Sequence, residues 1–166
     1  MTLTVGTNTY ITIAQADTYW TARNNSVWAA ASSGEKEKAL REATQFIDGT
    51  FDFIGFHSTL NLDTQPLAWP RDSVVIPSGS FRGTDIDSDV VPQAIKDAQA
   101  ELALEALSAR LDPVLDRGGD IKKVKVDVIE VEYMDFAPSA KTFNFVRKIL
   151  KPFLTGSQNN INLVRA

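Results

Sequence analysis

The single histidine of the chain, His57, is the first residue to consider for acid–base chemistry. It stands beside Gly55 and Phe56 with no nucleophile motif near it. A general base works only when it is placed against a nucleophile. The chain has no cysteine, which excludes thiolate chemistry and a disulfide framework. We therefore predict no catalytic residues and a protein that is not an enzyme.

A second chemical candidate is the acidic run Asp85, Asp87 and Asp89, which begins like a calcium-binding loop. Such a loop needs a glycine where Val90 stands and a bidentate glutamate where Lys96 stands, so the motif fails. Acidic residues in this place are typical of a helix start, where they favour the positive end of the helix dipole. The sequence also lacks the glycine-rich motifs that cradle phosphates. We predict no metal and no cofactor.

Basic residues cluster in two places, on a β segment and on the last helix: Lys122, Lys123 and Lys125, and Arg147, Lys148 and Lys151. Because the chain carries a net charge of −4, the pattern favours two solvated faces. A nucleic-acid site would need aromatic stacking partners among the cations. The helical phase places Phe143 and Phe145 toward the core, so we predict weak binding to DNA at best.

The fragment Pro66-Leu67-Ala68-Trp69-Pro70-Arg71 lies in a long connection rich in Gly, Pro, Ser, Thr and Asp. Proline restricts Trp69 to an extended backbone and so gives its indole a fixed direction. One interpretation is that Trp69 plugs the core, as tryptophan is strongly buried on average. The other is an interface anchor formed by Trp69 and Arg71, since these residue types dominate interface hot spots.

The longest helical pattern runs from Pro92 to Leu111 and carries two apolar stripes instead of one. A helix with two apolar stripes is covered on two sides. It is either the central member of a bundle, or a helix with one face on its own domain and the other on a neighbouring subunit. Asp112-Pro113 is expected to end it, because the residue before a proline avoids the α region.

The remaining elements predict a mainly α fold, a small helical bundle around the central helix at about 92–111. Capping boxes start helices at Thr12 and Ser32, the second continuing to about Ile54. An extended, bent β arm is expected at about 121–133, either as one strand with a bulge near Val128-Ile129 or as a tight hairpin. A short helix at Thr142–Lys151 follows. We predict one domain at 1–154 and a C-terminal docking tail at 155–166.

Size and composition fit one globular domain, with 166 residues of which 43% are hydrophobic and 23% charged. No run has the length of a membrane span, and the N-terminus lacks the features of a secretory signal. The expectation is therefore a soluble protein made in the cytoplasm, without a membrane partner.

The order of these pieces resembles the tailed-bacteriophage head–tail connector proteins, also called adaptors or head completion proteins. Some of these carry the label "DnaT-like single-stranded-DNA-binding". The resemblance covers nearly the whole chain, and its most specific pieces are AWPR, PQAIKDAQAELAL and the closing LVRA. Relatives often show Gly-Pro near the middle of the β segment, where this chain has Val126-Asp127-Val128.

The resemblance implies a structural protein of the virion, made in the host cytoplasm and placed at the head–tail interface. It would form a homo-oligomeric ring, usually a dodecamer, under the portal protein. The ring would continue the channel for packaged DNA and dock the next stopper or tail protein. Residues expected at the portal or a neighbour are Trp69, Arg71, Ile161, Leu163, Val164 and Arg165. The alternative is a single-stranded-DNA-binding accessory protein, against which the acidic charge speaks.

Overall fold

Five α-helices and three short two-stranded antiparallel sheets form the described part of the chain in this computed structural model. The structure describes residues 2–57, 64–76, 82–112, 123–126, 129–132 and 143–155. The helices are α1 (Ile13–Thr21), α2 (Ser26–Ala30), α3 (Ser33–Thr50), α4 (Gln93–Ser108) and α5 (Asn144–Leu150). The strands are β1 (Phe56–His57), β2 (Arg71–Asp72), β3 (Val74–Val75), β4 (Asp85–Ile86), β5 (Lys123–Val126) and β6 (Ile129–Glu132). The prediction of a small, mainly helical domain is confirmed at this level.

Both predicted capping boxes are present at the starts of α1 and α3. The Gln15 backbone N–H donates to the Thr12 hydroxyl at 3.1 Å, and the Thr12 N–H donates to the Gln15 side chain at 2.8 Å. Ser32 and Glu35 repeat the same reciprocal pattern at α3. At each helix start, the two side chains of the capping box accept hydrogen bonds from two N–H groups that would otherwise be unpaired. Because these side chains have a fixed spacing, the helix starts could be predicted from the sequence.

Helix α4 is the central helix of the bundle, packed against α3, α5 and α1. Both of its apolar stripes are covered by this chain over the first three turns, where the following residues are buried: Ile95, Ala98, Ala100, Leu102 and Ala103. Farther along, Leu104 and Leu107 are partly buried against the same core. The bundle interpretation of the two stripes therefore describes α4.

Helices α3 and α4 end earlier than the sequence predicts. Helix α4 stops at Ser108 instead of Leu111, because Leu111 turns back into the core with 1% exposure. Its N–H donates to the Glu42 carboxylate at 2.9 Å, which fixes the turn. Helix α3 stops at Thr50, since the chain becomes extended and Phe53 forms a β-bridge with Leu154. At the C-terminal ends of both α3 and α4, tertiary contacts of the following residues thus end the helix before the helical pattern of the sequence does.

The β segment is a hairpin, which decides between the two alternatives left by its sequence. Strands β5 and β6 are antiparallel, with Val126 opposite Ile129 and Val124 opposite Val131. The alternation of apolar residues shifts by one position between Val126 and Ile129 because the chain reverses direction there and begins a second strand. The alternative of a single bulged strand is therefore wrong.

The last helix, α5, covers seven residues and continues into a 3-10 turn at Lys151–Phe153 that contains Pro152. The predicted helix at Thr142–Lys151 is thus shorter at both ends. Thr155 remains attached to the core, because its N–H donates to the Asp52 carbonyl at 2.9 Å. Residues 156–166, most of the predicted docking tail, lie outside the described residues. None of the described helices is long and apolar enough to span a membrane.

One buried amide joins the N-terminal segment to α3 and α4. Gln99 is fully buried, and its carbonyl oxygen accepts the Tyr10 N–H at 3.1 Å. Its nitrogen lies 2.7 Å from the Thr9 hydroxyl, 2.8 Å from the Thr44 hydroxyl and 3.0 Å from the Leu40 carbonyl. A buried amide is tolerated only when its donors and acceptors are paired, and these contacts pair them.

We predict that Gln99→Leu lowers the free energy of unfolding by roughly 1–3 kcal/mol, because it leaves buried polar groups without partners. Urea unfolding followed by circular dichroism measures the change. Gln93→Leu is the matched control on the same helix: Gln93 is exposed, and its side-chain N–H donates to the Asp97 carboxylate at 2.8 Å. Equal stability of the two variants would contradict the structural role of Gln99.

Candidate nucleic-acid interface

Helix α5 exposes an aromatic ring where the sequence predicted a buried one. Phe145 is 59% exposed, while Val146 and Leu150 are buried and form the core face of the helix. The prediction that Phe145 points toward the core is therefore wrong. In a helix of seven residues only one narrow face is covered, and Phe145 lies about a third of a turn from the centre of that face. Phe143, half-buried before the helix, does pack inward against Phe46.

Three cations lie on the same short segment as this ring, with Arg147 on the other side of the helix. Arg147, Lys148 and Lys151 are all exposed, and Lys148 stands one helical turn from Phe145. The described segment 143–155 contains no acidic residue. An exposed aromatic among cations is the combination that stacks a base and contacts a phosphate backbone.

The charged residues of the whole sequence are also distributed unevenly, with the positive excess in the C-terminal part. The stretch 136–166 carries five basic residues and no acidic one, whereas residues 1–135 carry the other twelve basic residues and all 21 acidic ones. The net charge of −4 is therefore the sum of +5 over residues 136–166 and −9 over residues 1–135. This asymmetry was the available sequence signal for a basic interaction site, and the average charge concealed it.

The second basic cluster is matched by acidic residues. In the register of the hairpin, Lys123 stands opposite Glu132 and Lys125 opposite Glu130. Opposite charges across an antiparallel pair stabilise it and reduce the net field. Lys122 lies outside the described residues. Helix α5 is therefore the better candidate for contact with an anionic polymer.

Trp69 is part of the core, with 1% exposure. Its indole lies between two phenylalanines, with ring centroids 5.6 Å from Phe53 and 5.7 Å from Phe153, both edge-on. The alternative that Trp69 plugs the core is what the structure has, and the prediction of an accessible interface anchor is wrong for this side chain. A buried indole cannot contact a partner without unfolding the segments around it.

Arg71 is likewise a structural residue within the long connection. Its guanidinium donates to four backbone carbonyls, those of Ile54 at 2.9 Å, Gly55 at 2.9 Å, Ala68 at 3.2 Å and Phe53 at 3.3 Å. These bonds tie the segment after α3 to the segment before β2. These bonds engage the donors of Arg71 within the fold, and its interface role stays a prediction. The other predicted interface residues, Ile161, Leu163, Val164 and Arg165, lie outside the described residues.

The surroundings of His57 are structural in character. His57 stands opposite Arg71 in the pairing of β1 with β2. Asp48 accepts a hydrogen bond from the Tyr10 hydroxyl and another from the Ala68 N–H. Burial raises the pKa of Asp48, and burial together with Asp48 raises the pKa of Tyr10. These groups satisfy one another inside the fold.

The residues that the structure describes contain no candidate metal site. They contain no cluster of three or more His, Asp or Glu side chains able to hold an ion. The arrangement with chemical meaning is therefore the cationic, aromatic face of α5, which is suited to binding.

The comparison with known families points to the same kind of ligand as the exposed face of α5, a nucleic acid. A family model described as "Putative DnaT-like ssDNA binding protein" matches residues 2–166. Neither a curated protein nor a solved structure matches the chain. The match confirms the DnaT-like part of the sequence resemblance. Its description names single-stranded DNA and no phage connector.

We predict that Arg71→Lys lowers the free energy of unfolding of the isolated protein by roughly 1–3 kcal/mol, because a lysine cannot reproduce the four-carbonyl arrangement. Thermal and urea unfolding measure the effect. Arg82→Lys, a change at an exposed arginine, is the control and should be neutral. If Arg71→Lys is as stable as that control, Arg71 is a surface residue available to a partner.

Proposed function

Since the chain belongs to the DnaT-like family of single-stranded-DNA-binding proteins, we propose that it binds single-stranded DNA through the exposed face of α5. The observation that carries this proposal is Phe145, 59% exposed among Arg147, Lys148 and Lys151. It revises our expectation of weak binding at best, which depended in part on a buried Phe145.

The ring and the cations have different tasks in this proposal. Phe145 offers a π-face on which a base stacks, and stacking tolerates any base. Lys148 neutralises a backbone phosphate beside the ring, and Arg147 and Lys151 neutralise phosphates where the strand continues around the segment. Base edges have no dedicated hydrogen-bonding partner in this set. The proposal is thus binding with little sequence preference and without catalysis.

The acidic body of the protein limits how strongly and where a strand binds. Residues 1–135 carry a net charge of −9, which repels phosphates over most of the surface. Repulsion elsewhere and attraction at α5 confine the strand to one side. With only three cations involved, the affinity is modest and sensitive to salt.

We predict that Phe145→Ala weakens binding to an oligo(dT) probe roughly tenfold, because a stacked base is worth about 1–3 kcal/mol. Fluorescence anisotropy at low salt measures the dissociation constant. Phe56→Ala is the matched control: Phe56 is also an exposed phenylalanine, at 69%, but stands on β1 without the basic cluster.

The same titrations at several salt concentrations test the cations. Three phosphate contacts give a slope of about −2 in a plot of log Kobs against log salt for single strands. Lys148→Ala should reduce that slope by about 0.7. Binding that is absent at low salt, or equal losses in Phe145→Ala and Phe56→Ala, would refute the α5 interface.

As a second candidate, we propose the head–tail connector role that the sequence resemblance implies. It is favoured by exposed apolar residues away from α5, namely Phe56 at 69% and Val75 at 43%, on neighbouring small sheets. A contiguous apolar patch that includes these side chains would mark a surface that packs against other proteins. In this role the protein forms a ring, of twelve copies by analogy, between the portal and a stopper or tail protein of a virion. A DNA-facing α5 is compatible with it, because such a ring surrounds packaged DNA.

For the connector role we predict that removal of residues 157–166 leaves the melting temperature and helical content unchanged. Thr155 and the core contacts before it are retained in this variant. Capture of the protein by portal-bearing heads should fall sharply, because Ile161, Leu163 and Val164 are each worth roughly 1.5–3 kcal/mol when buried by a partner. Because every subunit of a ring would lose the same contacts, the loss of binding free energy for the whole ring would be large.

A control that keeps the length of the tail replaces Ile161, Leu163 and Val164 by serine. It should behave as the deletion does in the capture experiment. Attachment of either variant at the level of the unmodified protein would exclude the tail as the docking element. Native mass spectrometry of the intact protein with portal gives the stoichiometry directly.

A further inference from the structure

The exposed face of α5 has a complement of opposite charge elsewhere on the same chain. Residues 85–90, called here the acidic segment, run from β4 toward the start of α4 and read Asp-Ile-Asp-Ser-Asp-Val. All of them are exposed except Ile86, which is half-buried. The segment carries three carboxylates and no cation, whereas the described segment 143–155 carries three cations and no carboxylate.

The carboxylates of the acidic segment do not cap α4, although their place in the sequence favoured a role at a helix start. The N-cap of α4 is Pro92, no side chain caps the helix, and its first turn contains no acidic residue. Among the described residues, no ion pair or hydrogen bond engages the side chains of Asp85, Asp87 or Asp89. Arg82, exposed shortly before β4, is the one cation near them in sequence, so residues 82–90 keep a net charge of −2.

The cations of α5 are equally unengaged within the described part of the chain. Arg147, Lys148 and Lys151 are exposed, and no ion pair or hydrogen bond there engages their side chains. In one copy, α5 packs on α4 and on the turn that follows α5, while β4 packs on β3. A contact that neutralises both surfaces is therefore one between two copies.

Exposed apolar residues accompany the charges on both surfaces. Phe145 is 59% exposed on α5. On the other surface Val75, 43% exposed, stands opposite Asp85 in the pairing of β3 with β4, and Val90, 44% exposed, follows Asp89. Protein interfaces combine apolar contacts with a polar rim, and complementary charge gives them specificity. The two surfaces therefore match in polarity as well as in charge.

We propose that the acidic segment of one copy docks on the exposed face of α5 of a second copy. Lys148 and Lys151 would face Asp87 and Asp89, and Phe145 would pack against the valines beside the aspartates. A contact this small and this charged is weak, reversible and sensitive to salt. The acidic segment would then occupy the place of a phosphate backbone, so single-stranded DNA and a second copy compete for α5. That competition rests on the proposed function, whereas the docking does not.

Sedimentation velocity of the full chain at several concentrations and salt levels measures the docking. At low salt the average mass should rise with protein concentration, and salt should return it to that of the monomer. The double change Asp87→Asn and Asp89→Asn should weaken self-association roughly tenfold, because two exposed ion pairs are lost. Asp52→Asn with Asp112→Asn is the matched control: it alters the net charge equally, at exposed carboxylates outside the acidic segment.

An exchange of charges tests whether these two surfaces meet each other. One variant carries Asp87→Lys and Asp89→Lys, and the other carries Lys148→Glu and Lys151→Glu. Each should stay monomeric alone, because like charges would meet, and the mixture of the two should associate at low salt. All four residues are exposed, so the circular dichroism spectra should stay unchanged. The inference is overturned if the unmodified protein is monomeric at low salt, if the mixture stays monomeric, or if the two asparagine variants associate alike.

A short oligo(dT) distinguishes a failure of the docking from a failure of the proposed function. If both hold, oligo(dT) dissociates the assemblies at low salt. If the protein associates through these residues and binds no oligo(dT), the proposed function fails and the docking remains. If oligo(dT) binds through Phe145 while the protein stays monomeric at low salt, the inference fails alone. Assemblies that persist with oligo(dT) bound at α5 would also overturn it.

Discussion

The buried amide of Gln99 is the interaction on which the arrangement of the core depends. A fully buried glutamine is costly unless its groups are paired, and the pairing here needs Tyr10, Thr9, Thr44 and the Leu40 carbonyl in place together. Apolar side chains would tolerate small slips between α3 and α4, whereas these hydrogen bonds accept one register. The same pairing of α3 with α4 also brings Glu42 to the turn after α4, where its carboxylate accepts the Leu111 N–H.

Helix α5 is rigidly attached to this core although it is short. An isolated helix of seven residues is not stable in water, so its shape depends on packing. Phe143 packs on Phe46 before the helix, and Phe153 packs on Trp69 after it. Burial of Val146 and Leu150 fixes its rotation. The exposed face of α5 is therefore presented in one orientation, which lowers the entropy lost when a ligand binds there.

Local chemistry in the sequence predicted the parts of the fold that local chemistry determines. The capping boxes at Thr12 and Ser32 and the two stripes of α4 depend on spacing alone. Tertiary contacts decided the rest: Trp69 in the core, Arg71 on four carbonyls, and the early ends of α3 and α4. The exposure of Phe145 was missed because rotation of a seven-residue helix cannot be read from its few apolar positions. The C-terminal charge excess was legible in the sequence and was masked by the total of −4.

The long connection after α3 links the two surfaces to which the candidate functions refer. Trp69 contacts both Phe53, which precedes β1, and Phe153, which follows α5. Arg71 holds the carbonyls on either side of that contact, and β1 carries Phe56 at the surface. The exposed Phe56 and the cationic helix α5 are thus both next to segments that pack on one buried tryptophan. Binding of a strand at α5 and of a protein at β1 would therefore both depend on the packing of Trp69 between Phe53 and Phe153.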